Sequence, residues 1–239
     1  MSQSLYLSRA RLRVARGEAL SAIAPILMPD DDSHRAGRAH RLVWLLFQYR
    51  QDAARDFLWR DEGDSKFMIL SPCPPTDPHG LFDLETKPFA PELAVGDELR
   101  FALRANPVVA RKGALSADDH ALRLRGKRVD VVMDALHAVP NDERNSKRDA
   151  ITADAGLRWT QQQGARAGFT PNSVVVASYG RVDIADQERK KRRDRAGIAV
   201  MDIEGVLTVT DPAAFVAKLG RGFGGAKGFG NGLMMIKRI

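Results

Sequence analysis

Few residues in this chain have types and spacings suited to chemistry. There are five histidines, His34, His40, His79, His120 and His137, and one cysteine, Cys73. No two histidines stand four apart, so the pairing that puts two imidazoles on one helix face around a metal is absent. A lone cysteine excludes an internal disulfide and a multi-cysteine metal site. No metal site is expected. His40 differs from the other histidines because it opens the strongest helical pattern of the chain, predicted over Ala39 to Asp56. In the first turn of a helix, the positive end of the dipole disfavours imidazolium. It keeps the ring neutral and basic, the form that accepts a proton. An exposed or capping histidine fits the same position.

The second feature is a glycine run. Gly220, Gly222, Gly224, Gly225, Gly228, Gly230 and Gly232 fill seven of the thirteen positions from 220 to 232. Backbone this bare can approach a phosphate closely through its N–H groups. Gly220, Gly222 and Gly225 have the spacing of a dinucleotide fingerprint. The predicted order, helix before and strand after, reverses what that motif requires. Nor is it a Walker loop, since Ala226 precedes Lys227 and Gly228 follows it. A flexible linker is the bland alternative. Arg221, Lys227, Phe223 and Phe229 interleave with the glycines, and this favours a packed, phosphate-contacting loop.

The third feature is a basic run. Arg189, Lys190, Lys191, Arg192, Arg193 and Arg195 put six cations into seven residues between two apolar, strand-like stretches. A hairpin tip of this kind can track phosphates or enter a nucleic-acid groove. A solvated loop is the alternative, but mutual repulsion of six like charges argues for a counter-anion. The charge of the whole chain agrees. Net charge is +7, with 12 basic and 14 acidic residues up to Asp97 and 25 basic and 16 acidic beyond it. So lopsided a surface points to a polyanion partner.

These groups need a frame. The 239 residues, 44% hydrophobic and 28% charged, suit one large or two small globular domains and exclude wholesale disorder. The first 25 residues carry Arg9, Arg11, Arg13 and Arg16 without a long apolar run, so no signal peptide is expected. No stretch approaches the roughly 18 apolar residues of a membrane helix. With the single cysteine, this predicts a reducing, cytoplasmic setting and no membrane partner.

Strand patterns fall at 5–12, 57–60, 66–70 and 81–84, with turn chemistry at 61–64. An acidic turn at 30–33 is placed to cap the helix after it. Pro72, Pro74, Pro75 and Pro78 form a stiff connection with room for a helical piece. Pro88 and Pro91 confine the fourth strand to an edge. The second half opens with clean alternation over 99–105, ended by Asn106-Pro107. A polar stretch over 112–148 follows, with a short apolar patch at 129–139. A helix follows over 148–167, weakened by Gly156 and Gly164. Strands come next at 173–177 and 198–210, the latter interrupted at Gly205. Asp211 caps a further helix with Pro212 in its first turn. A strand over 232–236 closes the chain. Each half reads strand, helix, strand, strand, helix, strand. This predicts an α+β fold of two tandem ferredoxin-like (RRM-like) βαββαβ domains, residues 1–95 and 96–239.

The residues resemble a known family. Tyr6-Leu7-Ser8-Arg9, the stretches 39–47 and 52–58, Phe101 to Pro107 with its Arg-Ala-Asn-Pro tetrad, Gly205-Val206-Leu207-Thr208-Val209 and the glycine-rich end are together similar to the CasE family. This is the CRISPR repeat-processing endoribonuclease of the type I-E Cascade complex. The similarity runs over nearly the whole chain. It implies two tandem ferredoxin-like domains. It implies binding to the stem-loop of the CRISPR repeat in precursor RNA and metal-independent cutting at the 3′ base of the stem. The 2′-OH would attack the adjacent phosphate, leaving a 2′,3′-cyclic phosphate and a 5′-OH, with no cofactor. It implies partners too: the repeat hairpin, other Cascade subunits, especially the backbone subunit next to the 3′ end of the crRNA, and target DNA only through the complex. The family's catalytic histidine falls on His40, and the basic hairpin that grips the stem falls on 189–195. The glycine loop would lie near the cleaved strand. Arg41 and Lys227 are candidates to neutralise the phosphorane.

One position departs from the family. A tyrosine often stands three residues before the histidine, where this chain has Gly37. His34, Arg38 or the glycine loop would then supply the second proton-transfer group. The stretch 138–146 is longer than the family pattern. Two further readings remain: a weakly catalytic or inactive subunit that only holds the RNA hairpin, and a small-molecule phosphate-binding enzyme built on the glycine loop.

Overall fold

A computed structural model describes residues 4–13, 35–47, 55–111, 127–183 and 197–239. In chain order these form β1 (Leu5–Leu12), α1 (Arg35–Leu45), β2 (Leu58–Gly63), β3 (Lys66–Ser71) and β4 (Phe82–Phe89). Then follow β5 (Glu98–Ala105), a small hairpin of β6 (Val108–Arg111) and β7 (Lys127–Asp130), α2 (Val131–His137) and α3 (Arg144–Ala167). The chain ends with β8 (Phe169–Asp183), β9 (Gly197–Val209), α4 (Pro212–Arg221), a single 3₁₀ turn (Lys227–Phe229) and β10 (Met234–Arg238).

Two antiparallel four-stranded sheets result, ordered β2-β3-β1-β4 and β10-β5-β9-β8. In each, the first and third strands of the unit sit in the centre, which is the split βαβ arrangement. The expected tandem ferredoxin-like fold is therefore the observed one. Pro88 lies on β4, an edge strand, the place in a sheet where proline is tolerated. The first unit departs in one element: no helix forms between β3 and β4. The four prolines over 72–78 lack the amide hydrogens that a helix interior needs.

α1 and the turn that ends it pack Leu42, Val43, Leu46 and Phe47 against Trp59, Phe67, Ile69 and Phe82 of the first sheet. Each such burial is worth about 1.5–3 kcal/mol. The opposite face of that sheet joins the second unit, where Leu58 and Leu70 share a cluster with Leu233, flanked by Leu7 and Met235. The second core gathers Leu99, Phe101, Leu103, Ile203 and Leu207 under Trp159, Phe215 and Leu219.

Several boundaries differ from the pattern. α1 starts at Arg35 rather than Ala39. Its end tightens through Leu46 N–H to Val43 and Phe47 N–H to Trp44, so the helix stops near Leu45. The acidic residues 30–33 and residues 48–54 lie outside the described residues. The hairpin turn is not Asp61–Asp64. β2 continues to Gly63, and Asp64 and Ser65 take φ of 48° and 56°, the paired left-handed values of a type I′ turn. The apolar patch at 129–139 builds β7 and α2, and 138–146 forms the turn into α3 and its first residues.

The glycines that looked like interruptions are close-packing positions. α3 runs unbroken through Gly156 and Gly164, where an added Cβ would lie 2.4 Å from Val176 Cγ2 and 2.3 Å from the Phe169 carbonyl oxygen. β9 likewise continues through Gly205, whose missing Cβ leaves room for the Ser173 carbonyl of β8. Asp211 caps α4 as expected, its Oδ1 accepting from Ala214 N–H at 3.0 Å.

Candidate RNA-processing site

The site forms where α1 of the first unit meets the glycine-rich segment of the second. His40 is the sixth residue of α1, beyond its first turn. Its hydrogen-bond partner is in the loop. His40 Nδ1 lies 2.6 Å from the Gly228 carbonyl oxygen. A carbonyl only accepts, so Nδ1 carries the proton and the neutral ring keeps its lone pair on Nε2. The ring is stacked on Phe229, with centroids 5.4 Å apart and planes at 26°. Trp44 meets it edge-on at 6.0 Å. Two aromatic contacts and one hydrogen bond thus orient a half-buried imidazole with one nitrogen available as a base.

The loop is placed by residues far away in sequence. α4 runs through Gly220, so that glycine belongs to the helix and not to the loop. The residue that ends the helix is Gly222, with φ of 73°. From there the chain is tied back to the end of β5. Gly225 N–H donates to the Asn106 carbonyl at 3.0 Å and Gly232 N–H to the Arg104 carbonyl at 2.7 Å. Asn106 Nδ2 donates to the Ala199 carbonyl at 2.7 Å, which fixes the anchor itself. The Arg-Ala-Asn-Pro tetrad therefore serves as the seat of the glycine loop. A Cβ at Gly224 would lie 2.5 Å from the Asn106 carbonyl oxygen, and one at Gly232 2.6 Å from that of Phe223. Close backbone approach is what these glycines provide.

The N–H groups of Gly222, Phe223, Gly225, Phe229 and Gly232 already donate to protein carbonyls. The phosphate contact expected of this loop is left to its other N–H groups. The group that the loop presents to the site is a carbonyl, Gly228, and it faces His40.

Cations gather beside the loop. Lys227 Nζ donates to the Arg221 carbonyl at 2.6 Å. Burial, then the charges of Lys218, Arg55, Arg221 and Arg128, hold its pKa below the usual lysine value. Lys218 is lowered in the same way, first by burial and then by Arg221 and Arg166, and it lies 5.1 Å over the Phe223 ring. Arg55 donates to the Phe57 carbonyl at 2.8 Å. Arg55, Arg221 and Lys227 line one cleft of about 1410 Å³ between the units, together with apolar Leu5, Leu58 and Val216. Among the described residues, no group of three or more His, Cys, Asp and Glu could hold a metal ion. No described helix is long and apolar enough to cross a membrane.

A family model described as "CRISPR associated protein" matches residues 5–238. The chain belongs to that family. It is a CasE-family protein, as the sequence resemblance implies: it is 25% identical over 202 residues to the CRISPR system Cascade subunit CasE of Escherichia coli (strain K12), covering 82% of this chain and 89% of the relative. The fold matches CRISPR endoribonuclease Cse3 solved with a 19-nucleotide RNA, with TM-score 0.63, 22% identity and 99% and 100% of the two chains covered. It also matches Thermus thermophilus Cse3 bound to an RNA representing a pre-cleavage complex, with TM-score 0.60, 22% identity and 98% and 99% covered. Cas6e from Escherichia coli K-12 matches with TM-score 0.58, 21% identity and 98% and 100% covered.

Within this CasE-family chain, the structure brings only part of the expected residue set together. His40, Gly228 and Phe229 meet. Arg41 follows on α1 and is exposed. Arg221 closes α4 and donates to the Ala217 carbonyl at 3.3 Å. Arg189, Lys190, Lys191, Arg192, Arg193 and Arg195 lie outside the described residues. The strands on either side pair as expected, up to Asp183 opposite Gly197. His34 also lies outside them. Gly37 stands one turn before His40 on α1, and among the described residues nothing lies within 4 Å of where its Cβ would be. Trp59, Asn106 and Arg55 were missed as site residues. Trp59 read as an ordinary strand aromatic, and only the Asn-Pro of the tetrad carried a visible signal.

Proposed function

We propose that this chain is the CRISPR RNA-processing endoribonuclease of a type I-E Cascade. It binds the repeat stem-loop in precursor RNA and cuts at the 3′ base of the stem without metal. Afterwards it stays on the hairpin as a Cascade subunit in the cytoplasm. It touches the backbone subunit near the crRNA 3′ end and reaches target DNA only through the complex. The observation that carries this reading is the oriented imidazole of His40, with Nδ1–H on the Gly228 carbonyl and Nε2 left as the base. The RNA-bound Cse3 structures of the same fold support it.

In the proposed step, Nε2 takes the 2′-OH proton and the 2′-oxygen attacks the adjacent phosphorus. The bond from phosphorus to the 5′-oxygen breaks, and a protonated group returns a proton to that oxygen. The products are a 2′,3′-cyclic phosphate and a 5′-OH. Arg41, next to His40, and Lys227, next to Gly228, are carried by the two segments that meet at the imidazole. They are the proposed neutralisers of the phosphorane charge. The run Arg189 to Arg195, with Arg221, grips the stem through phosphates and shape, because the deep major groove of A-form RNA hides base edges. We set the domain boundary at residues 95 and 96. Gly96 N–H already donates to Val209 of the second sheet.

The test is cleavage of the host's end-labelled repeat hairpin in EDTA at excess enzyme. Wild type should give one cut at the stem base. His40→Ala should lose about 10²–10⁴-fold in rate with RNA affinity retained. Tight binding by wild type with no cut would overturn the catalytic reading. It would favour the second one, a hairpin-holding subunit, for which Gly37 in place of the family tyrosine is the supporting observation.

A further inference from the structure

Two N–H donors converge on one oxygen. The Gly228 carbonyl accepts from His40 Nδ1 at 2.6 Å and from Trp59 Nε1 at 3.1 Å. A carbonyl has two lone pairs and can serve both. Trp59 is 1% exposed and sits on β2, with Phe67 edge-on to its ring at 6.0 Å. The loop lies directly on the indole: a Cβ at Gly230 would come within 3.0 Å of the ring. The turn that carries Gly228 is one 3₁₀ turn long, flanked by left-handed residues Ala226 (φ 47°) and Gly230 (φ 76°). Its carbonyl direction depends on what holds the turn. Trp59 contributes nothing to the proposed reaction directly, yet it spends its only polar atom on the oxygen that orients the base.

We propose that Trp59 is a positioning residue for His40. Its indole N–H holds the Gly228 carbonyl at the point where Nδ1–H must donate, and so keeps the imidazole in the tautomer with Nε2 free. The consequence for cleavage rests on His40 being the proton-transferring group. The effect on the tautomer does not.

The experiment compares wild type with Trp59→Phe, and with Trp59 replaced by 3-benzothienylalanine, which keeps the bicyclic shape and lacks the N–H. Nitrogen-15 spectra of the His40 ring in RNA-free protein read the tautomer. Wild type should show protonated Nδ1, and both variants a growing share of protonated Nε2. Single-turnover cleavage should fall about ten- to a hundredfold, the range expected when an orienting partner is lost. Affinity for a hairpin with a 2′-deoxy nucleotide at the cut should stay within about twofold. If Trp59→Phe fails to fold, the isosteric variant decides. An unchanged tautomer in a folded variant overturns the proposal, as does a rate loss matched by equal losses of affinity and melting temperature. If His40→Ala leaves cleavage intact, the catalytic reading falls, while the spectra still report on the hold of Trp59.

Discussion

The two ferredoxin-like units share a strand order but divide the work. The first unit holds His40 on a helix whose apolar face is buried, and it dispenses with its second helix. The second unit keeps that helix and extends it into a glycine-rich segment that crosses to α1. One unit carries a side chain able to move a proton; the other carries a backbone carbonyl and a group of cations. The teaching is that a repeated fold need not repeat its sites. Each unit supplies what its elements can hold well: side-chain direction from a helix, close backbone approach from glycines.

The strongest way to break this comparison is to spoil the approach. Gly232 has φ of 93°, and a Cβ there would lie 2.6 Å from the Phe223 carbonyl oxygen. Gly232→Ala should cost roughly 3 kcal/mol. At about 2–4 °C per kcal/mol, melting should fall by about 6–12 °C in a thermal scan. An unshifted scan would show that the segment is not held by its anchors.

Asn106→Ala should act in the same direction by a smaller amount, about 1–3 kcal/mol, by leaving the Ala199 carbonyl without its donor. Denaturant unfolding reads this, and the cleavage rate should fall further than stability alone explains.

Gly37→Tyr sharpens the comparison from the other side. It adds a hydroxyl one turn from His40 where none of the described residues lies within 4 Å of the Cβ, and it removes a helical glycine. Single-turnover cleavage should rise about tenfold with RNA affinity nearly constant. No gain would place the second proton-transfer group in the second unit.

Lys227→Met gives the smallest change. Because burial and neighbouring cations depress the lysine's pKa in the fold, its charged form is disfavoured there. The resulting penalty is fully present below the folded pKa and is relieved as pH rises from there to the unfolded value near 10.4. At pH 7 and low salt, the variant should therefore melt slightly higher than wild type. It should bind RNA more weakly, with the salt slope reduced by roughly one. A variant that melts lower would show that the ammonium's bond to the Arg221 carbonyl outweighs the repulsion.

Much of this was legible from the residues. Alternation placed β5, Asp211 and Pro212 placed the start of α4, and the order of elements foretold both sheets. His40 stood out through its helix, although the reason attached to it was wrong. The helix begins four residues earlier than the apolar pattern suggests, so the dipole argument fails and a carbonyl takes its place. Glycines misled where sequence shows only their flexibility. Gly205 and Gly156 read as interruptions because their neighbours, Ser173 and Val176, are invisible until the strands and helix pack.

The local pattern by itself determined which segments form strands and helices, because period and capping act over a few residues. It determined too where the basic charge and the candidate imidazole lie along the chain. Only the tertiary structure decided which nitrogen of His40 is free and why the Arg-Ala-Asn-Pro tetrad matters. The hydrogen bonds responsible join His40 to Gly228, Trp59 to Gly228 and Arg104 to Gly232, partners that meet only when both sheets are formed and packed.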